Sequence, residues 1–556
     1  MIVKMKHLDL ICVAAEKEAT LEKLRALGVM HLDLGAASGD RIVAAQGALS
    51  DADKAVRLVL KARGKDEVDV HEHSVEEVLA LAADRATLEE EKSRLEGEIR
   101  VYAPYGDFDP VLAKALLDKV EGLRDCVGLP ERLPAMRLSK MEEKLARVTN
   151  RIAIVTARLA GCDEQAILRR FPQLRDRMAF EQAKALLEDH GAVSVISGWI
   201  PETKVKALMD EVTHAKGDLF TRAESVGWGV LVRDPAADEI PPTLVEPPRL
   251  FRPMKALFEG LGIAPAYTEA DVSVPFMCYF SLFFAMLVGD GAYGAIFLLG
   301  TLLARKKLPR SWFVLLTVFS AATVGWGILS NTWFGAGLPW LATLPTVTWL
   351  ADPSYHNMML LCFTIGVSHL MLARIWNGIC RAPDSTAVAE FGWAGVLLFM
   401  YLVTNSIVGI FPGIPTWAFW VLGVSLVGVF GFTVKPSELK SRGAELGMLP
   451  LNIMSALGDI ISYVRLFAVG LASVKVAENF NAMATGLVTG DKAWWLKAVL
   501  SLAMVAILVV GHALNLAMAG LSILVHAVRL NTLEFSNHKG VSWSGYVFRA
   551  FTRNAK

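Results

Sequence analysis

Between Val272 and Leu533 the chain is a succession of apolar stretches: Val272–Ala304, Trp312–Phe334, Met358–Ile379, Val388–Phe411, Trp417–Val434, Leu449–Thr485 and Trp494–Leu533. Segments of this length and composition read as membrane helices, because in lipid every backbone amide must find its partner within the chain. The first stretch has 33 residues, about 50 Å as one helix, against a hydrocarbon core of ~30 Å. It also holds Gly289-Asp-Gly-Ala-Tyr-Gly294, a poor helix centre. Loop charge decides the count. Arg305, Lys306, Lys307 and Arg310 mark one cytoplasmic loop, Arg374 and Arg381 a second, and Lys435, Lys440 and Arg442 a third. The loops Gly335–His356 and Pro412–Thr416 carry no lysine or arginine. With a cytoplasmic amino-terminal half, the pattern closes only if the first stretch enters and returns, broken near Asp290 as two short spans or a re-entrant hairpin. That gives eight membrane helices and a cytoplasmic carboxyl terminus. The last two stretches exceed one bilayer thickness and should be long, tilted or bent.

The first 265 residues are charged and heptad-rich, so the mean hydropathy of +0.41 averages two unlike halves. Net charge is zero, which argues against nucleic acid as a partner. Six cysteines lie scattered without a Cys-x-x-Cys pair; reduced thiols are expected, with no zinc site and no disulfide framework. The start has no signal-peptide apolar core, so this half is expected to stay in the cytoplasm. Leu8–Ala14, Lys17–Leu27 and Val29–Leu34 read as a small βαβ unit. Leu138, Met141, Leu145, Val148, Ile152, Val155 and Leu159 keep an unbroken 3-4 spacing and predict a coiled-coil seam. Weaker seams run through Ile42, Leu49 and Val56 and through Leu81, Leu88, Leu95 and Tyr102, the latter opened by a Ser74/Glu77 capping box. A further αβ unit is expected with a strand at Ala192–Ile200 and a helix at Thr203–Thr213. Pro235–Pro253 holds six prolines and reads as an extended linker. The fold class is therefore mainly α: cytosolic α/β lobes on a coiled-coil arm (1–265), followed by a membrane bundle (266–556).

Within the bundle, Arg465 sits in Leu457-Gly-Asp-Ile-Ile-Ser-Tyr-Val-Arg-Leu-Phe-Ala-Val-Gly-Leu471. Arginine cannot shed its charge, and a central position costs roughly 2.5–3.5 kcal/mol on insertion scales. No acid stands three or four residues away, so the neutralising group is expected from another helix or another subunit. Gly458, Ser462, Ala468 and Ala472 allow a neighbour to approach closely. The last segment adds His526 and Arg529, three apart on one face, with Glu534 expected off that face near the cytoplasmic boundary. An arginine on each of two long helices suits a carboxylate that arrives and leaves. A lone polar residue in a membrane helix more often bonds a neighbouring helix, and Asp290 and Asp459 read as structural.

Several motifs carry a family resemblance: Ser462-Tyr463-Val464-Arg465-Leu466; Leu521-Ser522 with His526, Arg529-Leu530 and Glu534-Phe535; Gly289-Asp290-x-x-Tyr293-Gly294; and Gly511-His512-x-Leu514-Asn515. Pro104-Tyr-Gly-Asp-Phe-Asp-Pro110 and Ser197-Gly-Trp-Ile-Pro201 add to it in the soluble half. Through them the chain resembles, over nearly its whole length, the large membrane stator subunit of V-type and A-type rotary ATPases, called subunit a, or subunit I in prokaryotes. Ala519 replaces the glutamate of the eukaryotic branch, which favours the prokaryotic one. Asp271-Val-Ser replaces the family's Asp-Pro-Thr.

The resemblance implies a ring of proteolipid (c-ring) subunits, each with one intramembrane carboxylate, turning past the last two helices. Arg465 would be essential for ion translocation, seconded by Arg529. Ser462, Lys475, Glu478, His512, Asn515, Ser522, His526 and Glu534 are half-channel candidates. Implied partners are peripheral-stalk subunits of the E/G type, central-stalk and head subunits, and the lipid bilayer, in a prokaryotic plasma membrane. No cofactor is expected. Without a Gly-x-x-x-x-Gly-Lys-Ser/Thr run the chain is not the ATP-handling subunit. The alternative is a stand-alone secondary ion transporter, which predicts an internal repeat that the sequence does not display. The choice of proton or sodium is set by the surroundings of the ring carboxylate, and the sequence leaves open whether ATP is made or hydrolysed.

Overall fold

The computed structural model describes residues 2–34, 39–63, 70–119, 132–214, 228–434, 439–489 and 493–553, with backbone alone at 211–214, 439–445 and 494. Cys126, Lys435 and Lys556 lie outside the described residues, as do the side chains of Lys440 and Arg442. The chain divides into two compact units. One comprises Met5–Ala236 and Arg549–Lys556, the other Met1–Lys4 and Ala237–Phe548.

The first unit holds an antiparallel sheet in the order β2-β3-β1-β4, formed by β1 (Met5–Val13), β2 (Glu188–His190), β3 (Val193–Pro201) and β4 (Gly229–Arg233). Leu8, Leu10 and Cys12 alternate inward on β1, as a half-buried strand requires. Helix α1 (Lys17–Leu27) follows and ends at Gly28 in the left-handed region. The expected second strand of a βαβ unit is absent: Val29–Leu34 contributes one bridge, His31 to Trp199. Gly198 explains that approach, since a Cβ there would stand 2.4 Å from the His31 carbonyl oxygen.

The stretch expected to form the arm holds α2 (Asp40–Arg63), α3 (Val75–Tyr102), α4 (Pro110–Lys119), α5 (Leu138–Ala160) and α6 (Glu164–Ala185). Both sides of the Ser74/Glu77 capping box form at the start of α3. The α5 seam packs on the weaker seam of α3. Leu88 and Leu95 of α3 share a core with Val148, Val155 and Leu159 of α5, and Lys144 reaches Glu91 at 2.7 Å across them. Helix α7 (Glu202–His214) follows β3.

In the second unit, the proline-rich stretch is extended and held by bridges from Val245 to Ile2 and from Thr243 to Val547. Helix α8 (Met254–Leu261) leads to α9 (Ser273–Val288) and α10 (Gly291–Leu303), which meet at a bend of 119°. After these come α11 (Arg310–Ser330), short α12 (Pro345–Leu350), α13 (His356–Arg381), α14 (Thr386–Ile407) and α15 (Thr416–Phe432). The next apolar stretch is two helices, α16 (Leu439–Ile461) and α17 (Val464–Val488), broken at Ser462-Tyr463. The last is α18 (Trp494–Ser522), which runs through π-turns at Ile523–Ala527 and Leu530–Phe535 into α19 (Ser536–Lys539). Among the described residues five helical segments are long and apolar enough to cross a membrane; the bent pair and the shorter α15 add to these.

Candidate functional site

The helix break at Ser462-Tyr463 shapes the surroundings of Arg465. Amides there pair three residues back, Arg465 to Ser462 and Leu466 to Tyr463, which tightens the turn. The Ser462 carbonyl then also accepts from Arg465 Nε at 3.0 Å. Arg465 Nη2 reaches Glu534 Oε1 at 3.2 Å, and Arg529 Nε lies 3.4 Å from the same oxygen. This corrects the expectation that Glu534 lies off the Arg529 face; the acid beside Arg465 comes from another helix. Regular helical spacing separates positions 529 and 534, but a π-turn hydrogen-bonds i to i+5 and brings them together.

Two guanidinium groups thus share one carboxylate oxygen. Glu534 is 7% exposed, Arg465 25% and Arg529 53%. Glu534 Oε2 and His526 Nδ1 are buried without a hydrogen-bond partner among the described residues. The cluster carries two fixed positive charges against one negative, so it has electrostatic room for one further carboxylate. It also borders open surface. Only 11% of the most apolar stretch of the last span is buried within the chain, against 33–56% for the other four long spans. Leu502, Val505, Val509, Leu514, Met518, Leu521 and Leu524 form an exposed apolar stripe leading toward Arg529.

A cavity flanks the cluster on each side along the chain. One, of about 330 Å³, is lined by Asp352, Tyr355, Leu466, Gly470, Lys475 and Glu478 among others. Lys475 and Glu478 pair at 2.7 Å on its wall. The other, of about 460 Å³, is lined by Arg374, Asn452, Ser455, Asp459, Asn537 and His538 among others. There Asp459 meets His538 Nε2 at 3.0 Å, and Arg374 Nε donates to His538 Nδ1 at 3.1 Å. Because the arginine can only donate, His538 carries its proton on Nε2 and gives it to Asp459. Arg374 and Arg381 both reach Glu390, at 3.1 and 2.9 Å. None of Arg374, Glu390 and His538 stood among the sequence candidates. Each is an ionisable group near the end of a span, where loop and membrane residues look alike in sequence.

His512 and Asn515 line neither cavity. Asn515 donates to the Tyr293 hydroxyl at 3.0 Å and to the Ser473 carbonyl at 2.8 Å, and accepts from Ser473 Oγ at 3.1 Å. The Tyr293 hydroxyl lies 2.7 Å from His512 Nδ1, and His512 Nε2 3.2 Å from Asn481 Oδ1. This chain of bonds ties the last span to α10 and α17. Beside it Asp290, fully buried, caps α10 by accepting from Ala292 N and Gly335 N, both at 2.8 Å. Ser462 Oγ bonds the Asp459 carbonyl at 2.7 Å, and Ser522 is half-buried. Among the described residues no three His, Cys, Asp or Glu side chains converge as a metal site.

No family model matches the chain. Curated proteins do. It is 32% identical over 400 residues to the V-type ATP synthase subunit I of Borreliella burgdorferi, covering 68% of this chain and 63% of that protein. It is 26% identical to V-type ATP synthase subunit I 1 of Treponema pallidum, over 99% of this chain and 100% of that protein. The A-type ATP synthase subunit I of Methanocaldococcus jannaschii is 24% identical over 73% of this chain and 62% of that protein. The aligned part thus spans under two thirds of the Borreliella and Methanocaldococcus proteins and the whole of the Treponema one.

Proposed function

We propose that this homologue of the V-type and A-type ATP synthase subunit I proteins is the ion-translocating stator of a rotary ATPase, with Arg465 facing the carboxylates of a rotating ring. The observation that carries the reading is the Arg465–Arg529–Glu534 cluster: two cations on one acid, at the end of an apolar helix face that its own chain leaves uncovered. An arriving ring carboxylate competes with Glu534 for Arg465. A nearby opposite charge favours the ionised form, so the arriving group gives up its proton or sodium ion as it docks.

In this reading the two cavities are the access routes. The one lined by Asp352, Lys475 and Glu478 includes residues of the lysine- and arginine-free loop 335–356 and serves the outer face. The one lined by Arg374, Asp459 and His538 includes residues next to the basic loops and serves the cytoplasm. Arg465 separates them, and its fixed charge stops an ion from passing straight through. Lys475, Glu478 and His538 then line half-channels, joined by Asp459 in place of the structural role the sequence suggests, while His512 and Asn515 hold helices. The coiled-coil unit is the arm by which peripheral-stalk and head subunits keep this chain from turning with the ring.

Arg465→Ala tests the reading. Coupled ion transport in membrane vesicles should vanish while the complex still assembles. Arg465→Lys should be severely impaired, because a compact ammonium lacks the guanidinium fork and loses its proton more readily when buried. Normal acidification or sodium loading by the alanine variant would remove the proposal.

A further inference from the structure

His369, at the middle of α13, is fully buried and carries none of the charge chemistry assigned above. Its ring lies between Tyr279, at 4.0 Å and 26°, and Phe535, at 4.4 Å and 10°. Phe283 and Tyr463 meet its edges at 5.5 and 6.2 Å. Its Nδ1 is 2.9 Å from the Tyr463 hydroxyl. Its Nε2 is buried without a hydrogen-bond partner among the described residues. A polar ring in a cage of aromatic groups with one nitrogen idle is costly; packing alone would be served at least as well by a phenylalanine.

The neighbours on the chain give the ring its meaning. Tyr463 is the second residue of the break between α16 and α17, two positions before Arg465. Phe535 closes the second π-turn, one position after Glu534. Gly366, one turn before His369 on α13, makes room for the Tyr463 ring, since a Cβ there would come within 2.6 Å of it. One helix face therefore seats both irregular turns, the one that aims Arg465 and the one that folds Glu534 back onto it. The His369–Tyr463 bond specifies an orientation that apolar packing leaves free, and stacking on Phe535 holds the other turn in register.

We infer that His369 is a positioning residue for ion translocation: it holds the Arg465 and Glu534 turns at the spacing a ring carboxylate needs, without itself touching that carboxylate. The inference rests on the stator reading of Arg465. It is tested in the assembled enzyme in inverted membrane vesicles, by measuring ions moved per ATP hydrolysed and transport per assembled complex for His369→Phe, His369→Asn, Tyr463→Phe, the His369→Phe/Tyr463→Phe double variant and Arg465→Ala. His369→Phe and Tyr463→Phe should each cut transport per complex at least tenfold and lower the ion-to-ATP ratio. The double variant should be no worse than either single one, because both remove the same bond. His369→Asn, which keeps a hydrogen-bonding atom near the Nδ1 position, should recover transport to within threefold of the wild type. Wild-type transport per complex in His369→Phe and Tyr463→Phe, even with less complex assembled, would overturn the inference and leave His369 a packing residue. So would losses that add in the double variant. Transport by Arg465→Ala would instead bring down the stator reading itself.

Discussion

Glu534→Gln isolates what the shared carboxylate does, because it keeps the shape of the side chain and removes its charge. A hydrogen bond to a charged group contributes roughly 1.5–3 kcal/mol. Arg465 is a quarter exposed and Arg529 about half exposed, so water screens part of the interaction and the lower figure applies. If Arg465 docks a ring carboxylate as proposed, that carboxylate loses its competitor when Glu534 is neutral and is held about 1.5 kcal/mol more tightly, which slows its release about tenfold. The expected phenotype is a stator that assembles and binds its ring but turns over slowly: maximal ATP-driven transport falls about tenfold while half-saturation by ATP, set on other subunits, stays unchanged. The assay is initial transport rate per assembled complex in inverted vesicles across a range of ATP concentrations. Wild-type turnover in Glu534→Gln would refute the competition, and the 3.2 Å contact would then be a static ion pair. Loss of assembly would refute it equally, since it would show that Glu534 is needed to fold the turn and not to release the ring.

In the arm, Val148 and Ile152 lie on the seam between α3 and α5, and Val148→Asp with Ile152→Asp each exchange a core contact for a buried charge, at a cost of several kcal/mol. Head subunits should be lost from the membranes while the membrane unit persists; full recovery of the head with normal transport would show the coiled coil to be dispensable. A cysteine placed at Lys307 should react only with reagent supplied from the cytoplasmic side. Labelling from outside would mean that α9 and α10 do not enter and return.

What could be read from the sequence was whatever regular periodicity carries. The seam from Leu138 to Leu159 lies within one helix, α5, because a 3-4 repeat has one way to bury itself. The break near Asp290 was legible because an aspartate between two glycines can neither sit in lipid nor continue a helix. Arg465 stood out through its charge alone. Its partner did not, because counting by 3.6 residues puts Glu534 on the wrong face, and no local feature of Leu530–Phe535 announces a π-turn. His512 and Asn515 stand among the half-channel candidates, and their partners were hidden for a related reason. A polar side chain on an apolar helix looks the same in sequence whether it meets water or, as here, Tyr293 and Ser473. Val29–Leu34 has the composition of a strand, but it meets the sheet at a single bridge, His31 to Trp199.

The membrane unit departs from regular helix at Gly289-Asp290, at Ser462-Tyr463 and at the two π-turns after Ser522. In lipid such departures persist only where other groups satisfy the backbone they release. Asp290 does so for α10 through Oδ1, which accepts from Ala292 N, while Oδ2 accepts from Gly335 N, Arg465 Nε adds to the Ser462 carbonyl, and Ser536 Oγ donates to the Asn531 carbonyl at 2.9 Å. The three lie against one another. A Cβ on Gly289 would meet the Gly470 carbonyl oxygen at 3.1 Å, and Tyr463 and Phe535 share the ring of His369. A straight helix in any of these places would carry its side chains past the others at fixed register. The breaks instead let residues from separate spans converge on Arg465. The irregular backbone and the charge at its centre are therefore one feature, so substitutions that straighten Ser462-Tyr463 should cost transport before they cost folding.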